Sequence, residues 1–145
     1  MAGSQQYSNH RQTVLGYHVV LAAVLLVTFI GACVNLSQSL GDHQRLYSAS
    51  LLVVLTGAVI MAAFFARSFA LRAQDRAIRA EEQLRHYVLT GTLLDPRLTV
   101  RQIVGLRFAS DAEFPALAAR AASEGLSGED IKKAVTVWRA DTYRV

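Results

Sequence analysis

A chain of 145 residues, 52% hydrophobic and with a mean hydropathy of +0.28, is the size of one domain or of a membrane anchor with a small domain attached, and is more apolar than a soluble domain normally is. Its formal charge of +4 is spread as +1, +2 and +1 over residues 1–45, 46–94 and 95–145, which excludes the concentrated basic stripe of a nucleic-acid module. A single cysteine, Cys33, excludes an internal disulfide and a cysteine-based metal cluster.

Residues 1–13 read as a polar lead carrying Arg11. From Val14 to Leu36 there is no formal charge over 23 residues. A helix of that length is about 34 Å long, enough for a hydrocarbon core of about 30 Å. Arg11, the apolar run and Ile30-Gly31-Ala32-Cys33 also resemble a lipoprotein signal peptide. Because the chain runs from Met1 without a cut before Cys33, a membrane span over 14–36 is expected, with Cys33 a small apolar residue in a helix interface.

Residues 37–45 are polar and contain Gly41, a connection short enough to make its flanking helices antiparallel neighbours. Leu46 to Ala66 is uncharged for 21 residues, and a second span is expected over 46–69. Arg67, Arg72, Arg76, Arg79 and Arg85 follow it, while the loop sets Arg45 against Asp42. An excess of Lys and Arg marks the cytoplasmic side, so both termini are expected inside a bacterial inner membrane, with 37–45 periplasmic. Tyr17 and Tyr47 fall near opposite interfaces.

Small residues recur every fourth position at Ala58, Ala62, Ala66 and Ala70, and Thr28, Gly31, Ala32 and Asn35 give the first span a comparable face. The two faces are expected to meet within the hairpin; the alternative is that one of them docks a partner. The stripe continues through 70–94 as Ala73, Ala77, Ala80, Leu84 and Tyr87/Val88, with charges opposite it at pairing distance: Asp75 with Arg79, Glu81 with Arg85, Glu82 with His86. With no Gly or Pro from 58 to 90, one unbroken helix is expected from Leu46 to about Leu89, ended by Gly91. The first span cannot reach Ala73 to Ala80, so the C-terminal tail or another subunit must cover them. Ala58, Ala62, Ala66, Ala70, Ala73, Ala77, Ala80 and Leu84 are therefore the candidate partner interface. Arg67, Arg72, Arg76 and Arg79 are candidate lipid-headgroup contacts, with intrahelical pairing as the rival reading.

The tail, 95–145, carries three shorter helical patterns. Thr99 and Gln102 form a capping box before Ile103, Val104 and Leu106. Ser110-x-x-Glu113 is a second box before Phe114, Leu117, Ala118 and Ala121, where Pro115 makes the helix begin late or bend. Gly125 ends that helix. Ser127 caps a third, whose stripe is Ile131, Ala134, Val135 and Trp138, with Trp138 read as core and a partner-docking Trp as the alternative. So little surface is buried by three short helices that they are expected to pack on the long helix or on a partner. The architecture is thus all-α: a two-helix transmembrane hairpin, its second helix extended, and a small helical tail.

The run Ala70-Leu71-Arg72-Ala73-Gln74-Asp75-Arg76-Ala77-Ile78-Arg79-Ala80-Glu81-Glu82, with Leu106-Arg107-Phe108-Ala109-Ser110-Asp111, Ile131-Lys132-Lys133-Ala134 and Trp138 to Val145, is similar to a bacterial family of small two-helix membrane proteins catalogued as a domain of unknown function. Gln6-Tyr7-Ser8-Asn9-His10-Arg11 extends the resemblance to most of the chain. It implies the hairpin and a C-terminal Trp-Arg-x-Asp stretch that belongs to the fold. It brings no activity, cofactor or catalytic residue.

The sequence contains no Gly-rich phosphate loop, His-Glu-x-x-His or Gly-x-Ser-x-Gly, so no enzyme is expected and no catalytic or metal residue is assigned. The spans lack carboxylates, which argues against an ion pathway, and Asn35 lies toward the outer end. His18 is the one candidate cofactor ligand, for haem iron or chlorophyll magnesium; lacking a second ligand nearby, it is read as a bare interfacial histidine, with no cofactor. His10, His43 and His86 fall on both sides of the membrane or on the solvated helix face, and are not expected to form one metal site without a partner chain. The expected function is a non-catalytic accessory subunit of a larger membrane complex, respiratory or photosynthetic hosts being one setting, with other membrane subunits and lipids as partners and no nucleic acid. A homo-oligomeric scaffold is the alternative, and a membrane enzyme or lipid-handling protein a second.

Overall fold

The computed structural model describes residues 6–9 and 13–141; His10, Arg11 and the last four residues of the Trp138–Val145 stretch lie outside the described residues. The chain divides into two compact units, Thr13–Ala70 and Leu71–Val145 with the N-terminal Met1–Gln12. The described residues form five α-helices and no strand.

In Thr13–Ala70, a π-helical turn, Gly16–Leu21, runs into α1, Ala22–Gln38. Helix α2, His43–Thr90, begins after a four-residue turn and passes on into the other unit without a break, three residues longer at its start than expected. Asp42 caps it: its Oδ1 accepts the backbone N–H of Gln44 at 3.0 Å and of Arg45 at 3.3 Å, two of the donors a helix start leaves over.

The helices pack along a seam other than the alanine stripe. On the first, Leu21, Leu25, Phe29, Ala32 and Leu36 are buried or half-buried; on α2 they are Ala49, Val53, Thr56, Gly57 and Ala63. Phe29 lies against Gly57, and the Tyr17 hydroxyl donates to the Ala63 carbonyl. Ala58, Ala62 and Ala66 are exposed, as are Thr28, Gly31 and Asn35. The small faces expected to meet do not. Ala49, Thr56 and Ala63, seven residues apart, provide the low-profile face instead, leaving room for Leu and Phe from the first helix. Cys33 is likewise exposed rather than held in the interface.

In the other unit, α3 (Val100–Leu106), α4 (Phe114–Glu124) and α5 (Gly128–Ala134) close over Leu106, Phe108, Phe114 and Ile131, all fully buried. Local chemistry sets each boundary. Thr99 and Gln102 complete the expected capping box, and the buried Gln102 amide also donates to the Leu126 carbonyl at 2.8 Å. Gly125 ends α4 in the left-handed conformation that glycine adopts without strain (φ +66°), and the Ser127 side chain accepts the Asp130 N–H. Helices α3 and α5 touch backbone to backbone: a Cβ on Gly105 would stand 2.8 Å from the Gly128 carbonyl oxygen, and one on Gly128 2.6 Å from that of Arg101.

Two boundaries differ from the sequence reading. Helix α4 starts at Phe114, with Pro115 in its first turn, so the Ser110 box is only half made: Glu113 accepts the Ser110 N–H at 3.2 Å. Trp138 is not on a third helical stripe. Helix α5 ends at Ala134, and the β-branched run Val135-Thr136-Val137 leaves it extended. That segment lies antiparallel to 108–110, with Ser110 N–H donating to the Val137 carbonyl at 3.1 Å and Arg139 N–H to the Phe108 carbonyl at 2.7 Å. Trp138 still packs on the core, its ring 4.8 Å from that of Phe108.

Candidate functional site

Arg85 fixes which face of α2 the tail occupies. Its Nη1 donates to Glu82 Oε2 at 2.9 Å, Nη2 to the Ala109 carbonyl at 2.7 Å and Nε to Asp111 Oδ1 at 2.7 Å, while the guanidinium lies 4.4 Å from the centre of the Phe114 ring. Glu82 is 5% exposed and Ile78 is buried beside it. His86 sets its ring edge-on to Phe114 and its Nδ1 2.8 Å from the Thr92 carbonyl oxygen. Ile78, Glu82 and Arg85 thus form the inner face of this stretch. The expected pairs of Glu81 with Arg85 and Glu82 with His86 are replaced by Glu82–Arg85–Asp111. Asp75 and Arg79 form no ion pair among the described residues.

Because the tail sits on that face, the stripe is left open. Ala73, Ala77 and Ala80 are exposed, as are Leu84 (64%), Tyr87 (53%) and Val88 (75%). The tail was one of the two expected covers for Ala73 to Ala80; its described residues come up to a cleft that Ala77 shares and leave all three alanines exposed. In the other unit Ala58, Ala62 and Ala66 are exposed and Ala70 is half-buried. Arg72, Arg76 and Arg79 are exposed, while Arg67 is half-buried between the two apolar helices, on a groove it shares with Tyr17.

Beside the open stripe lies a polar cleft of about 320 Å³, with Gln74, Glu81 and Glu82 on α2 facing Arg107, Arg139 and Asp141. Arg107 pairs with Asp141 at 3.1 Å and stacks over Phe108 at 4.6 Å, which fastens the end of the tail. At the start of α4, burial pushes the Glu113 carboxyl up, but donors outweigh it and hold it below its ordinary value: the Thr136 hydroxyl and the N–H groups of Ser110, Thr136 and Val137. On the surface, hydrogen bonds from Arg97 draw the Asp95 carboxyl down to about 2.

The histidines stand apart. His18 is exposed, edge-on to Tyr17, and its Nδ1 lies 3.1 Å from the Val14 carbonyl oxygen and 3.2 Å from the Val14 nitrogen, meeting one or the other by tautomer. His43 starts α2 and is exposed. Sequence reasoning missed Arg85, Glu82 and Asp111. The spacing 78, 82, 85 was a signal of the same period as the alanine stripe, but two of its three residues are charged.

The fold defines an all-helical protein with two helices, Gly16–Gln38 and His43–Thr90, long and apolar enough to cross a membrane. The chain belongs to the family described as "Family of unknown function (DUF6526)", which matches it over residues 1–145. No curated protein and no solved structure matches the chain.

Proposed function

We propose that the chain is a non-catalytic accessory subunit, anchored in a bacterial inner membrane by two helical spans with both termini cytoplasmic, that docks a partner helix on the open face of α2. The membrane reading is supported by exposure. In the most apolar windows of the two helices only 6% and 11% of residues are buried within the chain, where the core helix of a soluble protein would be mostly buried. Val24, Val27, Val54 and Phe64 accordingly face outward, and lipid is the solvent that suits them. The orientation rests on the arginines that follow the second apolar run.

The observation that carries the docking role is the exposure of Ala73, Ala77, Ala80, Leu84, Tyr87 and Val88 on a face the tail leaves open. Low side chains let another helix come close, and the three larger residues supply apolar area. Leu at Ala73 and Ala77 is the test. The pair lowers retention of the chain in its natively purified assembly while the tail stays folded; retention at the wild-type level rejects this face.

A specific register favours a second copy as that partner. Ala73, Ala77, Ala80, Leu84 and Tyr87 step by four and three, the spacing of a coiled-coil seam. Arg76 and Glu81 flank it on opposite sides, five residues apart. In a parallel pair, the arrangement two identically inserted copies adopt, each Arg76 meets the Glu81 of the other copy.

A further inference from the structure

We propose that the polar cleft between α2 and the end of the tail binds a small zwitterion, an α-amino acid, with its ammonium on Glu82 and its carboxylate on Arg139. The cleft lies wholly within the unit that holds the tail, and the proposal needs neither the membrane reading nor the docking role of α2. Its volume of about 320 Å³ is at the small end of the range for small-molecule sites. The two walls differ in sign: α2 presents Glu81 and Glu82, and across from them stand Arg107, Arg139 and Asp141. Ala77 and Ile78 add apolar lining for an aliphatic side chain.

Part of this charge is already engaged, and what remains defines the ligand. Arg107 pairs with Asp141 at 3.1 Å, and Arg85 donates to Glu82 Oε2 at 2.9 Å. Glu82 is only 5% exposed, yet its Oε1 accepts no hydrogen bond among the described residues. A carboxylate oxygen so far withdrawn from water calls for a donor, and a primary ammonium brings three. On the other wall the backbone of Arg139 is fixed, its N–H donating to the Phe108 carbonyl at 2.7 Å. Its guanidinium makes no ion pair or hydrogen bond among the described residues, so its parallel N–H donors are open to a carboxylate. Glu81, exposed beside Glu82, makes the α2 wall more anionic and stays available to Arg76 of a second copy. A simple cation would leave Arg139 unanswered, and a simple anion would leave Glu82 Oε1 so. A zwitterion answers both.

The test is calorimetric titration of the full chain, in mild detergent at neutral pH, with leucine and with its two halves. Isoamylamine lacks the carboxylate and isocaproate lacks the ammonium. Wild type binds leucine about tenfold more tightly than either, the effect of one charge-assisted hydrogen bond. Arg139→Gln lowers leucine to the level of isoamylamine and leaves isoamylamine unchanged, while Glu82→Gln lowers leucine to the level of isocaproate. Trp138 fluorescence against urea checks that each variant is folded, and the Arg139→Gln comparison stands even if Glu82→Gln loosens the tail. No binding of leucine, leucine bound no more tightly than its halves, or leucine bound undiminished by Arg139→Gln overturns the site. Glycerophosphoethanolamine bound in place of leucine overturns the amino-acid assignment and gives the cleft to a lipid headgroup. None of these outcomes bears on retention of the chain in its assembly, so the docking role stands or falls separately.

Discussion

Glu113 accepts the Thr136 hydroxyl at 2.6 Å and the Thr136 backbone N–H at 3.2 Å, so one carboxylate at the start of α4 pins the chain that leaves α5. The same carboxylate takes the N–H groups of Ser110 and Val137. It therefore decides where α4 begins and where the extended return segment lies.

The pinning gives a pH dependence whose sign follows from the lowered Glu113 pKa. A carboxyl held lower in the folded than in the unfolded chain stabilises the fold above its ordinary value of 4.5, and that contribution is lost as pH falls through the lower folded value. Trp138, the only tryptophan, sits on the pinned segment, so its fluorescence reports unfolding there. Denaturant midpoints are expected to fall in acid below pH 4.5. Glu113→Gln should flatten that dependence and cost about 1–3 kcal/mol at neutral pH. An acid slope equal in both chains would assign it to other groups.

The backbone contact of α3 with α5 leaves no room for a methyl group. Gly105→Ala and Gly128→Ala are each expected to destabilise the tail by about 1–3 kcal/mol, as overpacking does. Trp138 fluorescence against urea measures it, and an unchanged midpoint would mean that the helices can slide apart at no cost.

Removing Arg85 strands Glu82. Arg85→Met should cost about 3–5 kcal/mol, since a buried carboxylate is left without its counter-charge, and adding Glu82→Gln should restore part of the loss. Equal losses in the single and double variants would show that Glu82 does not depend on Arg85.

A second copy on the open face of α2 brings like residues together. With Cys33 replaced by Ser, Ala77→Cys is expected to form an intermolecular disulfide in membranes, which requires Cα atoms about 5–6 Å apart. Arg76→Glu should weaken the pairing, and Arg76→Glu with Glu81→Arg should recover it. Cross-linking to a different protein instead would identify a heteromeric assembly.

Topology has a direct reading. Reporter fusions after Val145 should give cytoplasmic signals, and an insertion in the 37–45 turn a periplasmic one. A periplasmic signal from the C-terminal fusion would refute the orientation.

Much of the fold was legible because it is written in local chemistry. Charge-free runs marked the two apolar helices, the lack of Gly and Pro from 58 to 90 marked the unbroken α2, and Thr99, Ser127 and Gly125 marked their helix ends. What a hydropathy stripe could not show is which face is inside. Ala58 to Leu84 is the smoother stripe, yet the inner positions are Ala49, Thr56 and Ala63 in one unit and Ile78, Glu82 and Arg85 in the other. Glu82 and Arg85 read as solvent-facing until Asp111 and the Ala109 carbonyl, far along the chain, supply their partners. Trp138 was misplaced for a similar reason: its backbone course depends on Glu113, 25 residues upstream.

The π-helical turn at Gly16–Leu21 accommodates more residues per revolution than ordinary winding. Deleting one residue inside it lets the turn rewind as plain α-helix with Tyr17 still beside Ala63. The same deletion within Ala22–Gln38 swings everything before it by about 100° and carries Tyr17 away. The first helix therefore keeps spare length at one end only, and a natural shortening of this chain by a single residue would be absorbed there.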